Sequence, residues 1–440
     1  MDKKLLEFLE AHAAQAPVSF HMPGHKGAAF FKRFGYGDFL ARLPDMDITE
    51  IPGADNLAAP AGVLAELAAR YAALYGARAS HLLVNGSTAG ILASVLTAVP
   101  RGGKLICARG SHRSTFSAAA LGGIELVFAE PESGAVATDH CGGAFPQGMG
   151  GVILPEEIER LARAHPDASA VILPSPDYFG FCADIAAIAK IAHAAGMTLI
   201  VDQAHGAHLK FFACHGDSPL ALPPLPLPAE EQGADLVVNS THKTLASFTQ
   251  SAVLNVCSAR VDGEALAENL RRIQSSSPSY LLLASLDLNA RILSAHGPAL
   301  FREWAENLAW FYDEAAALPG IRLAPPQPGY DYTKINIDFG GVDFRVLDKT
   351  ATAPIPANEQ APTPAGEPVP IPAGEQAPIP AGEAARTSAG EAVQAWLIRE
   401  RRIYPELCAG NAVMFLTGVG NTRAHYEALL RALRSLPIAT

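Results

Sequence analysis

The chain has 440 residues, 49% of them hydrophobic and only 18% charged, which is enough for a large buried core and for two or three domains. Its 33 Lys and Arg against 44 Asp and Glu give a formal net charge of -11, and such a surface repels nucleic-acid phosphates. No apolar run approaches the ~20 residues that span a bilayer, and the first helical stretch lacks the apolar core of a signal peptide. We therefore expect a cytoplasmic protein that binds neither nucleic acid nor membrane.

The cysteines are scattered and form no Cys-x-x-Cys pair. In a chain of this length the pattern predicts buried, reduced thiols rather than a disulfide framework or a zinc knuckle. The six residues are Cys107, Cys141, Cys182, Cys214, Cys257 and Cys408.

Helical periodicity and short apolar runs alternate between residues 57 and 257. Helices are predicted at Ala61–Tyr75, Thr88–Val99, Glu156–His165 and Asp184–Ala195. Strands are predicted at Ser80–Val84, Lys104–Cys107, Ile124–Phe128, Ala170–Leu173, Thr198–Val201, Leu236–Val238 and Ala252–Val256. This alternation predicts an α/β fold with a mostly parallel central sheet covered by helices on both faces. Ligands of such sheets bind at the carboxyl ends of the strands.

A second, smaller α/β unit is predicted after a helical stretch at Gly263–Leu318. Its elements are the strand Lys334–Phe339, the helix Val393–Arg401, the strand Ala412–Leu416 and the helix Arg423–Leu433. Residues 351–391 carry an approximate eight-residue repeat rich in Pro, Ala, Gly and Glu, for which we expect a disordered or polyproline-like excursion. We divide the chain into an N-terminal segment (1–50), a large domain (51–297) and a small domain (298–440) interrupted at about 346–391.

A lysine follows the predicted strand Leu236–Val238 within a hydroxyl-rich cluster that runs from Ser240 to Lys243. A lysine at the carboxyl end of a strand, among groups able to hold a phosphate, suits covalent attachment of pyridoxal phosphate (PLP). An ordinary surface lysine after a strand is the competing explanation, and for this motif alone it is the more frequent one.

Asp202 ends the predicted strand Thr198–Val201. PLP catalysis needs a carboxylate against the pyridine nitrogen, and Asp202 could supply it or could cap the following turn. His205 could contact the hydroxyl side of the PLP ring or the strand of the lysine. His205 and His208 together leave a zinc site open, but a third ligand at a suitable spacing is missing.

Two further polar clusters follow predicted strands. Ser87 and Thr88 would offer N–H groups, hydroxyls and a helix dipole to a phosphate, or would simply cap the helix. The segment is neither a dinucleotide fingerprint nor a Walker motif, which argues against NAD and ATP. His112 could stack on a pyridine ring or could be a solvent-facing loop residue. Because all four motifs follow strands of one sheet, together they predict a PLP site on Lys243.

Taken together, these segments resemble the ornithine/lysine/arginine decarboxylases, which share the aspartate-aminotransferase fold (fold type I) of PLP enzymes. The resemblance is close to continuous from residue 20 to about residue 297. Its most specific parts are Pro-Gly-His-Lys at 23–26 and Ser-Thr-His-Lys at 240–243. The other matching segments are 51–57, 85–90, 109–114, 175–180, 202–208 and 278–287.

The resemblance implies that Lys243 carries PLP, that Asp202 pairs with the pyridine nitrogen and that His112 stacks on the ring and acts in catalysis. His205 would lie beside the ring. The phosphate would be held by Ser87, Thr88, Ser240 and His242.

The resemblance also implies decarboxylation of arginine, lysine or ornithine by a homodimer or larger homo-oligomer with sites near the subunit interface. His25 and Lys26 would approach the site from their own chain or from the neighbouring one. Two other functional hypotheses stay open. The chain could catalyse a different PLP reaction on the same fold, such as transamination or elimination, or it could be a catalytically silent member that acts as a binding partner.

The family usually continues into a further domain with a Pro-Pro-Gly-Ile-Pro-type segment, which this sequence lacks, so we expect a short form. Tyr404-Pro-Glu-Leu resembles the strand before that region, which makes Glu406 a substrate-side candidate. Asp177, Gln203 and Asn239 stand where family members often have Thr, Glu and Gln.

Overall fold

The computed structural model describes residues 4–132, 150–212, 222–344, 347 and 388–438. Residues 351–387 of the repeat insert, and the disorder predicted for them, lie outside the described residues. For residues 388–391, which are described, the prediction is wrong. A helix begins at Ala389, within the segment assigned to the insert and earlier than the predicted Val393. Its start is fixed by a capping box, in which the Ser388 hydroxyl accepts from the Glu391 N–H and the Glu391 carboxylate accepts from the Ser388 N–H.

A seven-stranded sheet forms the centre of the large domain, and each of its strands overlaps a predicted one. The strands are β2 (Ala79–Leu83), β3 (Lys104–Ala108), β4 (Glu125–Ala129), β5 (Ala168–Pro174), β6 (Thr198–Asp202), β7 (Leu236–Asn239) and β8 (Ala252–Val256). Their order is β2-β8-β7-β6-β5-β3-β4. Of these seven strands only β8 runs opposite to the other six, so the prediction of a mostly parallel sheet is confirmed.

Helices cover both faces of this sheet because successive strand residues point in opposite directions. Leu105 packs in the cluster on one face, with residues of the helices Gly86–Ala98 and Gly263–Ile273. Ile106 packs in the cluster on the opposite face, with the helices Pro155–Ala164 and Ile185–Ala194. The other described helices of this part of the chain are Val63–Tyr75, Arg113–Gly122, Leu209–Phe212 and Thr241–Thr244.

A long helix, Tyr280–Ala316, leads from the large domain to a smaller four-stranded sheet. The strands are β9 (Arg322–Leu323), β10 (Lys334–Asp338), β12 (Leu407–Ala409) and β13 (Ala412–Leu416), and the helices Ala389–Arg401 and Arg423–Arg434 accompany them. The strand order of this sheet is β12-β13-β10-β9. The predicted strands of the small domain are thus present.

The N-terminal residues pack against the C-terminal part of the chain. A strand β1 (Val18–Phe20) pairs in parallel with β11 (Ile403–Pro405). The preceding helix Leu5–Ala14 has no buried residue, and Ala28–Arg33 and Gly37–Ala41 form short helices after β1. Among the helices of the described ranges, none is long and apolar enough to cross a membrane.

Candidate active site

The predicted site residues follow strands whose carboxyl ends meet at one edge of the large sheet. Asp202 ends β6, and the helix that carries Lys243 starts directly after β7. His112 follows β3, and the helix Gly86–Ala98 follows β2, which runs in the same direction as β7 because β8 lies antiparallel between them. The topology thus brings all four sequence motifs to the edge where parallel sheets bind ligands.

Lys243 and His205 make the most direct contact of this edge. The Nζ atom of Lys243 lies 2.7 Å from Nε2 of His205. Burial lowers the pKa of Lys243 from its ordinary value, and the charge of Lys334 lowers it further, while Asp202 and Glu406 oppose the shift. Burial and the charge of Lys243 also hold the pKa of His205 well below its ordinary value, so the imidazole is neutral. The pair therefore presents a lysine amine that loses its proton more readily than a surface lysine.

Asp202 lies close enough to His112 and Lys243 for its charge to affect the pKa of both. One oxygen of Asp202 accepts a hydrogen bond from the Ala204 N–H at 3.1 Å, so the turn-capping role is real but occupies only this oxygen. The negative charge of Asp202 raises the pKa of both His112 and Lys243, although burial lowers each of them more. His112 is the N-cap of the helix Arg113–Gly122, where its Nδ1 accepts from the Ser114 N–H.

Two of the predicted phosphate ligands lie at the start of the Lys243 helix. Ser240 is fully buried, and its hydroxyl has no hydrogen-bond partner among the described residues. The Nδ1 of His242 bonds the Ser251 carbonyl at 2.8 Å, which leaves Nε2 as its available nitrogen. Burial lowers the pKa of His242 to about 4, so this ring is neutral at physiological pH.

Ser87 and Thr88 occupy the first turn of the helix Gly86–Ala98, as predicted from the sequence. The side chain of Asn85, at the N-cap, makes no capping hydrogen bond. The first N–H groups of a helix have no intrahelical partner, so this turn offers N–H donors at the same sheet edge as Ser240. Within the described ranges, no hydrogen bond joins Ser87 or Thr88 to the Lys243 helix.

The Pro-Gly-His-Lys segment reaches the Lys243 helix of its own chain. The Gly24 N–H donates to the His242 carbonyl at 2.8 Å, and the Gly24 carbonyl accepts from the Gly420 N–H at 2.9 Å. A Cβ on Gly24 would lie 2.3 Å from the Leu245 carbonyl oxygen, and one on Gly420 would lie 2.2 Å from that of His25. A Cβ on Gly418 would likewise meet Gly24 at 2.9 Å. We call Gly24, Gly418 and Gly420 the glycine junction; only residues without a Cβ allow three backbones to approach this closely.

Glu406 is a buried residue near Lys243 and His205. Its Oε1 accepts from the Tyr178 hydroxyl at 2.7 Å, and its Oε2 accepts from the Met22 N–H at 3.1 Å. The Tyr178 ring packs on His205 with their centroids 4.6 Å apart. Both oxygens of Glu406 thus bond protein groups, and its role on the substrate side stays a prediction.

A buried ion-pair network that the sequence analysis missed lies under the site. Lys334 bonds the Asp331 carboxylate and also donates to the His205 carbonyl at 2.9 Å. His208 spans Asp331 and Thr244, with 3.2 Å from Nε2 to Oδ1 and 3.2 Å from Nδ1 to Oγ1. The only available signal was a lysine opening an apolar strand, which does not reveal its partner.

The arrangement of His205 and His208 does not support the zinc alternative. Both ring nitrogens of His208 bond protein groups, and His205 faces Lys243. Across the described ranges, no group of three His, Cys, Asp or Glu residues is arranged to hold a metal ion.

The three positions at which the sequence departs from the family pattern all serve the backbone or the core. Asp177 accepts four backbone N–H groups of its own loop and of Gly151. Gln203 donates to Asn239 at 3.0 Å, and both bond the buried carboxylate of Glu230. These residues therefore shape the segments beside the site rather than face Lys243.

The family of the chain is shown by a match over most of its length. A family described as Orn/Lys/Arg decarboxylase, major domain, matches residues 4–323. The chain belongs to the Orn/Lys/Arg decarboxylase family.

Relatives of known sequence agree with this membership. An uncharacterized protein of Bacillus subtilis, YaaO, is 37% identical over 66% of this chain and 56% of its own length. An arginine decarboxylase of the same organism is 33% identical over 67% of this chain and 56% of its own length. The chain thus spans little more than half the length of these relatives.

Solved structures confirm the PLP fold type I. A lysine decarboxylase of Francisella novicida superposes with a TM-score of 0.64 and 17% identity, over 93% of this chain and 56% of that one. An alanine–glyoxylate aminotransferase of Nostoc superposes with a TM-score of 0.57 and 15% identity, over 90% and 91% of the two chains.

Pyridoxal phosphate is the cofactor of this decarboxylase family, and the residues at the sheet edge fit it. The Ser240 hydroxyl and the Nδ1 of His205 are buried polar atoms without a described partner, which a bound polar group would satisfy. Lys243 offers an amine with a lowered pKa, and Asp202 offers a carboxylate one strand away. A donor set of amine, carboxylate and hydroxyl matches the aldehyde, pyridine nitrogen and phosphate of PLP.

Proposed function

We propose that the chain catalyses the PLP-dependent decarboxylation of a basic amino acid, arginine, lysine or ornithine, to the corresponding amine and CO2. The observation that carries the proposal is the partly buried Lys243 amine, 2.7 Å from the neutral His205 at the strand ends that also present Asp202. Family membership and relatives named arginine decarboxylase and lysine decarboxylase support the substrate class.

PLP, when bound, supplies an electron sink for the bond that breaks at the Cα atom of the substrate. Asp202 would hold the proton on the pyridine nitrogen, and its position at the end of β6, at the same sheet edge as Lys243, supports this role. Ser240, His242, Ser87 and Thr88 would bind the phosphate through hydroxyl, imidazole and helix N–H groups. His112 would stack on the ring and orient the substrate.

Lys243 has two tasks that its environment favours. Its lowered pKa increases the fraction of neutral amine, which is the form that attacks a carbonyl carbon. After the carboxylate has left, the same amine can carry a proton to the Cα atom, and His112 is the alternative donor. His205 keeps the amine at the site through the contact between its Nε2 and Nζ.

We further propose that the protein works in the cytoplasm, in polyamine metabolism, as a homodimer or larger homo-oligomer. Decarboxylation of arginine, lysine or ornithine yields the basic amines from which polyamines are built. Four large apolar side chains of the first helix are exposed in the single chain, and this exposed patch supports an oligomer in which a second subunit would cover it. They are Leu5, Leu6, Phe8 and Leu9.

The proposal is tested by loading the purified chain with PLP and offering arginine, lysine and ornithine separately while CO2 and amine are followed. Lys243→Ala is the control. Amine from one substrate, absent in the control, establishes the reaction and its substrate. Keto acid in place of CO2 would point to transamination. A Lys243-dependent visible absorbance band without CO2 would point to a different PLP reaction, and the absence of any such band would point to a silent family member.

A further inference from the structure

The His205 ring contacts the amine of Lys243, but only one of its two nitrogens has a partner among the described residues. Its Nε2 faces Lys243, but its Nδ1 is buried without a hydrogen-bond partner among the described residues. A histidine in a catalytic site is ordinarily oriented by a second hydrogen bond on its other nitrogen. Among the protein groups of the described ranges, packing is therefore what orients this ring.

Tyr178 supplies that packing. Its ring lies against the His205 ring with 4.6 Å between centroids and 54° between planes. Its hydroxyl donates to Oε1 of Glu406 at 2.7 Å. Burial raises the pKa of the Tyr178 hydroxyl, so it stays protonated and remains a donor.

Glu406 is held on its far side as well. Its Oε2 accepts from the Met22 N–H at 3.1 Å, and its side chain is only 1% exposed. The carboxylate thus has one oxygen on the N-terminal segment and the other on Tyr178, while Glu406 itself belongs to the small domain, between β11 and β12.

We propose that Glu406 is a positioning residue: through Tyr178 it keeps the His205 ring in the orientation that holds Nε2 against the Lys243 amine. This inference rests on the proposed function, because it takes Lys243 as the residue that binds PLP. In this role Glu406 orients Lys243 through Tyr178 and His205 and does not contact the substrate.

The test uses the full chain and variants that remove successive parts of this connection. Tyr178→Phe keeps the ring and loses the hydroxyl, Glu406→Ala loses the carboxylate, and Glu406→Gln keeps one acceptor oxygen. Tyr312→Phe is the matched control, since it removes a buried tyrosine hydroxyl that donates to the Tyr332 carbonyl at 2.8 Å, away from Lys243. For each variant we would measure the rate at which the visible band of lysine-bound PLP appears, kcat, KM and the melting temperature.

We expect Tyr178→Phe and Glu406→Ala each to slow band formation and to lower kcat by roughly 10- to 100-fold, with KM nearly unchanged, because misplacing a reacting group mainly costs rate. The double variant should be no slower than the slower single variant, since both changes break the same connection. Glu406→Gln should recover most of the rate, and Tyr312→Phe should change only the melting temperature.

Unchanged band formation and kcat in Tyr178→Phe, with a loss of melting temperature like that of Tyr312→Phe, would overturn the positioning role. Independent, multiplying effects in the double variant would also overturn it. If the wild-type chain forms the band but releases no CO2, the proposed function fails, and the rates of band formation alone then decide the role of Glu406 by the same criteria.

Discussion

Asp177 allows a quantitative prediction, because its hydrogen bonds stabilise the folded protein whereas its desolvated charge destabilises it. Its Oδ1 accepts from the N–H groups of Phe179, Gly180 and Phe181 at 2.8–2.9 Å, and its Oδ2 accepts from Gly151 at 3.3 Å. Burial nevertheless raises its pKa from 3.8 to about 6, since desolvation outweighs these hydrogen bonds. The loop needs the acceptor oxygen but not the charge.

The direction in which stability changes with pH follows from proton binding. Between the unfolded value of 3.8 and the folded value of about 6, the folded protein binds the proton and the unfolded chain does not. The stabilisation from this protonation is therefore present at low pH and is lost as the pH rises through about 6. One pH unit corresponds to ~1.4 kcal/mol, so from about pH 8 to about pH 5 the wild type should gain roughly 1.4 kcal/mol over a variant with a neutral residue here.

Asp177→Asn is that variant, because it keeps an oxygen for the three short hydrogen bonds and removes the charge. We expect its free energy of unfolding to equal or exceed that of the wild type at about pH 8 and to lose this advantage towards about pH 5. Urea unfolding of both proteins at several pH values measures the difference. Asp177→Ala should be destabilised at every pH, by about 1–3 kcal/mol for each N–H group left unpaired. A difference between Asp and Asn that is constant with pH, or that grows in favour of Asp as the pH rises, would refute the reasoning.

Three further outcomes are expected at the site. Lys243→Ala should abolish both the visible band and CO2 release without changing the circular dichroism spectrum; a remaining band would mean that another lysine binds PLP. Asp202→Asn should keep the band but lower kcat on the order of 100-fold, because a preorganised charge is lost, and kcat near that of the wild type would exclude Asp202 from this role. Gly24→Ala should cost about 1–3 kcal/mol in the free energy of unfolding by overpacking, whereas Gly263→Ala, which has open space around its Cβ, should be tolerated. Equal effects of the two alanines would contradict the close approach at Gly24.

The strands of the fold were predictable because each buried strand reads as a short apolar run bounded by polar residues. β6, predicted as Thr198–Val201 and observed as Thr198–Asp202, shows how closely such a run fixes an element. The start of the helix at Ala389 was not predicted, since its Ser-x-x-Glu capping box lies in a stretch that resembles the preceding repeat.

The candidate site was predictable where its residues directly follow strands, as Asp202 and Lys243 do. Contacts between residues distant in the sequence were not. The bond from Tyr178 to Glu406 joins the large and small domains, and the buried pair of Lys334 and Asp331 has His208 as a further partner. Periodicity reports which face of an element is buried but carries no information about the partner across that face.

The glycine junction affects the order in which the protein can be assembled. Gly24 comes from the start of the chain, the Lys243 helix from its middle, and Gly418 and Gly420 from beyond β13. The neighbouring strand pair β1–β11 joins equally distant parts. During synthesis the ribosome must therefore release residues beyond 420 before the segment behind Lys243 has its final neighbours. In a nascent chain that ends earlier, the helix of Lys243, the proposed cofactor lysine, lacks the backbone contacts that Gly418 and Gly420 contribute.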